Sequence, residues 1–461
     1  MNNKFLPAIA LAASIATALA ADPGVAQRNW PQWRGPAFNG TAPLGSAPTT
    51  WSETENVKWK FKIPGEGSAT PIVWEDQVFI LTAIEGTKPE TAPAPAAAAE
   101  APAAAEPPPA GGRPRRGPGG GGGMRSEKPS NPVQFVIISL DRKTGKQLWQ
   151  KTAREQVPHE GHHRDHGFAS GSPMTDGEHV FAWFGSFGLY CYDMKGNLQW
   201  EKDLGDMQTR NSFGEGTTPA LHGDTIVVNW DHEGADFIVA LDKKTGKERW
   251  RQPRNEDTTW STPLIVEQGG KAQVIVSATN KIRSYDLAIG AQIWECGGMT
   301  SNTIPTPVTD GSLLYAISGF RGAALLAIKL GRTGDLTGTD AIAWQHGKGT
   351  PYVPSPLLAG GHLYFYSGNN GVLTSLDAAT GKPLFEAERI NELSGVYASP
   401  VAADGRIYLA GRDGKTVVIK QADKLEVLAT NKLDDRFDAS PAIVGKNLFL
   451  RGHQFLYCIG E

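Results

Sequence analysis

The chain has 461 residues, 40% of them hydrophobic, with 45 basic and 48 acidic side chains and a formal net charge of −3. That near-balance argues against nucleic acid or an anionic membrane surface as the main partner. Fifty-four glycines and 32 prolines fit many short turns, and three cysteines are too few for a disulfide framework, so packing must hold the core.

In chain order, residues 1–21 read as a cleavable signal peptide. Lys4 supplies the positive start, Phe5 to Leu19 is an apolar run too short to span a bilayer comfortably, and Ala18-Leu19-Ala20 is a small-x-small cleavage site. The cut is expected after Ala20 or Ala21. No cysteine follows it for lipidation, so a periplasmic or secreted protein without a membrane anchor is expected. Residues 22–50 form an N-terminal extension, and 51–461 hold the folded domain. Within it, residues 86–132 are so biased toward Ala, Pro and Gly that they cannot build a core, and they read as a disordered insert.

The remainder repeats. A Ser/Thr-Pro step recurs at Thr70-Pro71, Ser172-Pro173, Thr218-Pro219, Thr262-Pro263, Thr306-Pro307, Ser355-Pro356, Ser399-Pro400 and Ser440-Pro441, the prolines lying 102, 46, 44, 44, 49, 44 and 41 residues apart. Runs of β-branched and aromatic residues follow each step. The second run often ends in Asp, then a turn, then Trp, as in Asp141 to Trp149, Asp242 to Trp250 and Asp286 to Trp294. With the insert removed, each unit takes about 45 residues, the size of a four-stranded propeller blade. The expected fold is therefore all-β, an eight-bladed propeller with antiparallel strands A to D in each blade. Strand A precedes or includes the Ser/Thr-Pro step, and D carries the tryptophan. The last unit stops after its C strand at Glu461, so Val57-Lys58-Trp59-Lys60-Phe61 must supply its D strand and close the ring. Trp59, Trp149, Trp200, Trp250, Trp294 and Trp344 are assigned to packing between blades. Cys191 and Cys458 occupy matching repeat positions, as buried free thiols.

The D-x-x-T-G-K-x-x-W unit with its preceding Ser/Thr-Pro resembles the repeat of the pyrroloquinoline quinone (PQQ)-like propeller superfamily. That superfamily includes quinoprotein dehydrogenases and a non-enzymatic propeller lipoprotein of outer-membrane assembly. The opening Trp30-Pro31-Gln32-Trp33-Arg34-Gly35-Pro36 looks like uncharacterised exported bacterial members. The resemblance implies fold more than function, because the repeat is a packing signature. Quinoprotein dehydrogenases carry adjacent cysteines and a Glu, Asn and Asp around calcium; no cysteines are adjacent here, and C-x-x-C-H is absent.

Alternate turns of such blades lie on opposite faces. The A–B and C–D turns are tight, so the B–C and D–A connections offer the candidate binding face. Just upstream of the Ser/Thr-Pro steps, His166, Asn211, Glu215, Trp260, Asn302, Tyr352, Tyr397, Arg436 and Asp438 form the candidate ligand ring at the channel mouth. His159, His162, His163 and His166, with His232 from a neighbouring loop, are candidate ligands for Zn2+ or Cu2+. PQQ with Ca2+ is the cofactor the resemblance implies; neither cofactor is assigned. The favoured reading is a monomeric, non-catalytic binding or scaffolding protein for a protein, peptide or glycan partner. The alternatives are a quinoprotein-like oxidoreductase and a metal-binding protein or enzyme.

Overall fold

The computed structural model describes residues 23–86 and 126–461. The expected signal peptide and most of the 86–132 insert lie outside the described residues. Eight antiparallel sheets of four strands form the ring, and one of them gains a fifth strand. Blade 1 runs from Ile72–Trp74 through Gln77–Glu85 and Val133–Asp141 to Gln147–Gln156. Blades 2 to 7 follow in order, each an up-and-down sheet. Blade 8 takes its three inner strands from Ala442–Val444, Asn447–Arg451 and Phe455–Ile459, and its outer strand from Val57–Lys62. The two ends of the chain thus share one sheet, and no blade is left with an open edge at the seam.

Strand A does not precede the Ser/Thr-Pro step. It starts at the next residue, as Ile72–Trp74 after Pro71 and Ala220–His222 after Pro219. Proline has no N–H to give a sheet, so it serves as the last residue outside the strand. The hydroxyl before it reaches sideways. The backbone N–H of each Ser/Thr donates to the hydroxyl oxygen of the next blade's Ser/Thr, from Thr70 to Ser172 round to Ser399 and Ser440, at 2.9–3.1 Å. Seven such bonds stitch the innermost strands together. At the seam between blades 8 and 1 the ladder is open: the Thr70 hydroxyl has no partner, and Arg451, 1% exposed, donates to the Ala69 carbonyl there instead.

The outer strands are joined by the tryptophans. Trp149 Nε1 donates to the Met194 carbonyl, Trp200 to Lys243, Trp250 to Leu287, Trp344 to Ala378, and Trp59 across the seam to Arg142, all at 2.8–3.0 Å. Each accepting carbonyl follows the Asp of the next blade's Asp-turn. The glycine of that turn lies flat beneath the indole: a Cβ on Gly145, Gly196, Gly246, Gly290 or Gly381 would come within 2.5–2.7 Å of the ring. These glycines have φ of 66–82°, the left-handed region that suits glycine. The repeat thus joins two contacts: the Thr-Gly pair shapes a turn on one blade, and the Trp before it grips that turn.

Across the sheet, each tryptophan faces a small residue of strand C, and Cys191 and Cys458 are two of these, opposite Trp200 and Trp59. The three cysteines are free and buried. Blade 7 inverts the pair, setting Val418 opposite Ala429. Trp51 joins the same apolar cluster and stacks on Tyr408, supplying an aromatic ring where the blade lacks one. Blade 5 replaces its C–D turn with a longer segment in which Gly334–Asp335 pairs parallel to Trp294–Glu295 of blade 4. That substitution leaves the Trp294 Nε1–H without an acceptor.

Residues 30–51 cross the A–B face. Trp30 exchanges backbone hydrogen bonds with Val73 of blade 1, and Pro31 accepts one from Thr175 of blade 2. Arg34 then reaches the Pro356 and Pro400 carbonyls at the starts of blades 6 and 7, at 2.8 and 3.1 Å, and Ala42 pairs with Ala402. The segment continues past Gly445 of blade 8 to Trp51. The centre of that face is therefore covered.

Candidate functional site

The innermost strands surround a central cavity of about 210 Å³. Its lining has a register. The residue two positions before each Ser/Thr of the Ser/Thr-Pro step faces it in all eight blades: Ser68, Ser170, Gly216, Trp260, Ile304, Val353, Tyr397 and Asp438. Small residues on blades 1–3 face bulky ones on blades 4–7, and one carboxylate closes the ring. Trp33 of the crossing segment lies at the floor, and Ser172, Thr218, Ser399 and Ser440 of the hydroxyl ladder line the wall.

Of the expected ligand ring, His166, Trp260, Tyr352, Tyr397 and Asp438 line this cavity. The other four do not. Glu215 turns to Ser186, whose N–H and hydroxyl donate to it at 2.7 and 2.5 Å. Burial raises its carboxyl to about 8, so it is mostly protonated at neutral pH. Asn302 is buried, Asn211 is exposed with its carbonyl accepting from Ser126, and Arg436 joins an ion cluster at the rim.

That cluster is the least repetitive part of the molecule. Asp165, in the loop between blades 1 and 2, meets the Arg412 guanidinium of blade 7 at 2.6 Å and that of Arg436 at 3.3 Å, and accepts from the Tyr397 hydroxyl at 3.1 Å. Arg412 lies 3.9 Å over the Tyr397 ring and contacts Asp438 at 2.8 Å. Asp438 also meets Arg436 and His453, both at 2.9 Å. Burial pushes the Asp165 carboxyl up, and the Arg412 hydrogen bond and charge outweigh it, leaving Asp165 below the ordinary carboxylate value. The hydrogen bond to Asp438 chiefly raises His453. The loop carrying Asp165 thus extends over the mouth and is latched to the far side. Sequence reading named Asp438, Tyr397 and Arg436 but missed Arg412, and among the loop's residues it singled out the histidines rather than Asp165.

Among the described residues, the five candidate metal histidines bring no three ligand atoms within 4.8 Å of one another. His162 and His163 each lie beside His166, with ring centroids 6.0 and 6.5 Å from it. Burial drives His166 to about 4 and lowers His163, so both are neutral at pH 7. His166 Nδ1 lies 3.0 Å from the Ser170 hydroxyl, and His159 Nε2 lies 2.7 Å from the Met207 carbonyl. Both His232 nitrogens are engaged, Nδ1 accepting from the Gln208 N–H and Nε2 facing the Ala235 carbonyl. Among the described residues, the one group of three ligand atoms within 4.8 Å is Asp176, Glu178 and His179, on the opposite face. Lys243 already meets Asp176 there, at 2.9 Å.

PQQ with calcium needs acidic and amide oxygens gathered at one point. Here Glu215 is spent on Ser186, Asn302 does not reach the cavity lining, and Asp438 is neutralised by Arg412 and Arg436. The three cysteines sit in separate blades. These residues do not fit that group.

The family described as outer membrane protein assembly factor BamB matches residues 134–382 and 329–453, and the chain belongs to that family. Its structure is similar to that of BamB from Moraxella catarrhalis, at 15% identity over 71% of this chain and 93% of the other, with a TM-score of 0.51. It is also similar to quinohemoprotein alcohol dehydrogenase from Comamonas testosteroni, at 10% identity over 96% and 81% with a TM-score of 0.60. The quinohemoprotein alcohol dehydrogenase ADHIIG from Pseudomonas putida HK5 is similar at 10% identity over 94% and 80%, with a TM-score of 0.56. At these identities the likeness is one of fold. No curated protein matches the chain.

Proposed function

We propose that this member of the BamB assembly-factor family is an exported, non-catalytic binding or scaffolding propeller that engages a protein partner through its B–C/D–A face. The observation that carries this reading is the contrast between the faces. The A–B side is covered at its centre by residues 30–51, whereas the other side gathers the strap around Asp165, the stem of the 86–132 insert and the irregular loops. Ser126 donates to the Asn211 carbonyl, so that stem leans on the strap's neighbours. The ionisable groups at the mouth are engaged with one another, which is the state of a fixed surface rather than of a poised acid–base pair. No described helix is long and apolar enough to cross a membrane. Placement in the periplasm or outside the cell rests on the expected signal peptide.

Photo-crosslinking in cells tests the reading. A crosslinking side chain at Arg164 or Arg321, on the proposed face, is expected to give discrete protein adducts. The same group at Asp76 or Lys143, on the opposite face, is expected to give none. Equal labelling from both faces, or adducts only from the second, would reject it.

A further inference from the structure

We propose that the central channel binds a small anion, held by the ring of Ser/Thr hydroxyls beneath the mouth. This site is independent of the partner-binding face. A hydroxyl has one proton to donate and lone pairs to accept with. In seven ring members the oxygen already accepts a backbone N–H from the blade before it. None of these hydroxyls donates to another group of the described residues, and the Thr70 hydroxyl makes no bond at all. All eight are more than nine-tenths buried, and those of Ser172, Thr218, Ser399 and Ser440 line the cavity. Buried O–H groups left unpaired are costly, so a ring of them calls for an acceptor.

Charge decides which acceptor. Two guanidiniums sit against this ring with no carboxylate partner. Arg34 bonds to the carbonyls of Pro356 and Pro400, the residues after ring members Ser355 and Ser399. Arg451 bonds to the carbonyl of Ala69, the residue before Thr70. Both Nε–H groups and Nη2 of Arg451 are buried and unpaired. Desolvation lowers both side chains to about 9, so they remain cationic at neutral pH. The carboxylates at the mouth do not compensate them, since Asp165 and Asp438 are paired with Arg412 and Arg436. Neither guanidinium lines the cavity itself, so each acts on it as a buried charge just behind the ring. A column of water would satisfy the hydroxyls and leave those charges unanswered, whereas an anion at the level of the ring supplies the counter-charge. The cavity, about 210 Å³, has room for an inorganic oxyanion or a small carboxylate.

The test uses the exported chain in chloride-free buffer, titrated calorimetrically with phosphate, sulfate and acetate, with methylammonium as the cationic comparison. One equivalent of anion is expected to bind, and a crystal soaked in bromide is expected to show its anomalous peak on the channel axis beside the ring. Tighter phosphate or sulfate would identify an oxyanion site, and tighter acetate a carboxylate site. Thr70→Val removes a donor and breaks no hydrogen bond of the ladder, and Arg34→Gln removes one of the charges. Each is expected to weaken binding by about tenfold, the worth of one hydrogen bond to a charged group. The proposal is overturned if no anion binds at tens of millimolar, if bromide settles elsewhere, if both variants bind as the parent does, or if methylammonium binds in their place. Should a variant fail to fold, the bromide position in the parent chain decides.

Discussion

Two rings run round the same axis under different rules. At the rim, five blades present the same tryptophan to the same turn glycine and carbonyl of the next blade. At the axis, one register position carries Ser68, Ser170, Gly216, Trp260, Ile304, Val353, Tyr397 and Asp438 in turn. Joining one blade to the next is the same physical problem each time, so one solution recurs. A site must break that symmetry to hold one ligand in one orientation. The periodic residues therefore report the fold, and the aperiodic ones at equivalent positions are where function is to be sought.

The largest effect follows from breaking the rim. Trp200→Ala removes a ring packed on Gly246 and leaves the Lys243 carbonyl without its donor. It is expected to cost about 3–5 kcal/mol, read from the shift of the denaturant midpoint. Trp260→Ala, at the partly open cavity, is expected to cost less than half as much. Equal costs would mean that the axis is as much a packing ring as the rim.

The strap offers a cut on the aperiodic side. Arg412→Met removes the bridge between Asp165 and Asp438 and leaves both carboxylates short of a cation. About 1–3 kcal/mol should be lost. Amide exchange should quicken across residues 157–167 while the blade strands keep their protection. Unchanged exchange in that loop would show that Arg436 and Tyr397 suffice to hold it.

Acid should open the same contact. Asp165 titrates below its unfolded value, so its contribution is complete above that value and is lost as pH falls through the lower, folded one. His453 is raised, so its contribution to the cluster is complete below its unfolded value and fades as pH rises through the folded one. His163 and His166, in the same loop, are lowered by burial, so their contribution is complete only above the ordinary imidazole value and is lost as pH falls through the lower, folded values. The strap should therefore be tightest at about pH 6.5 and loosen on either side, as the buried histidines and then Asp165 take up protons below it and His453 loses its proton above it. Loop exchange followed from pH 3 to 8 measures this, and Asp165→Asn should remove the lowest part of the acid limb while leaving the part set by His163 and His166 and the whole of the alkaline limb.

How far the sequence carried depends on how local each contact is. Blade number, closure by residues 57–62 and the tryptophan positions were legible because every blade restates them. The Ser/Thr-Pro steps were visible as punctuation, but the purpose of the hydroxyl was not, since its partner lies 41 to 102 residues away. Arg34 and Trp33 read as part of an opening motif, and only the path of residues 30–51 sets them under the channel. Asp165 and Arg412 are 247 residues apart, in loops whose lengths differ from blade to blade, and no period announces their meeting. The histidines show the converse: His162, His163 and His166 are crowded in sequence and lie near one another in space, yet their ring nitrogens are turned to separate neighbours and form no common ligand group among the described residues.

The smallest effect probes an irregularity within the rim. Trp250 and Trp294 occupy the same position in adjacent blades, yet Trp250 Nε1 donates to the Leu287 carbonyl and Trp294 Nε1 has no acceptor. The difference arises because blade 5 exchanges its Asp-turn for a strand pair, Gly334–Asp335 against Trp294–Glu295. Replacing each by phenylalanine removes similar apolar volume and separates the hydrogen bond from the packing. Trp250→Phe should cost about 1 kcal/mol more than Trp294→Phe, since only the first strands a carbonyl, whereas the second deletes an N–H that was itself unpaired. If the two cost the same, the indole N–H contributes nothing to blade docking, and the rim is held by ring-on-glycine contact alone.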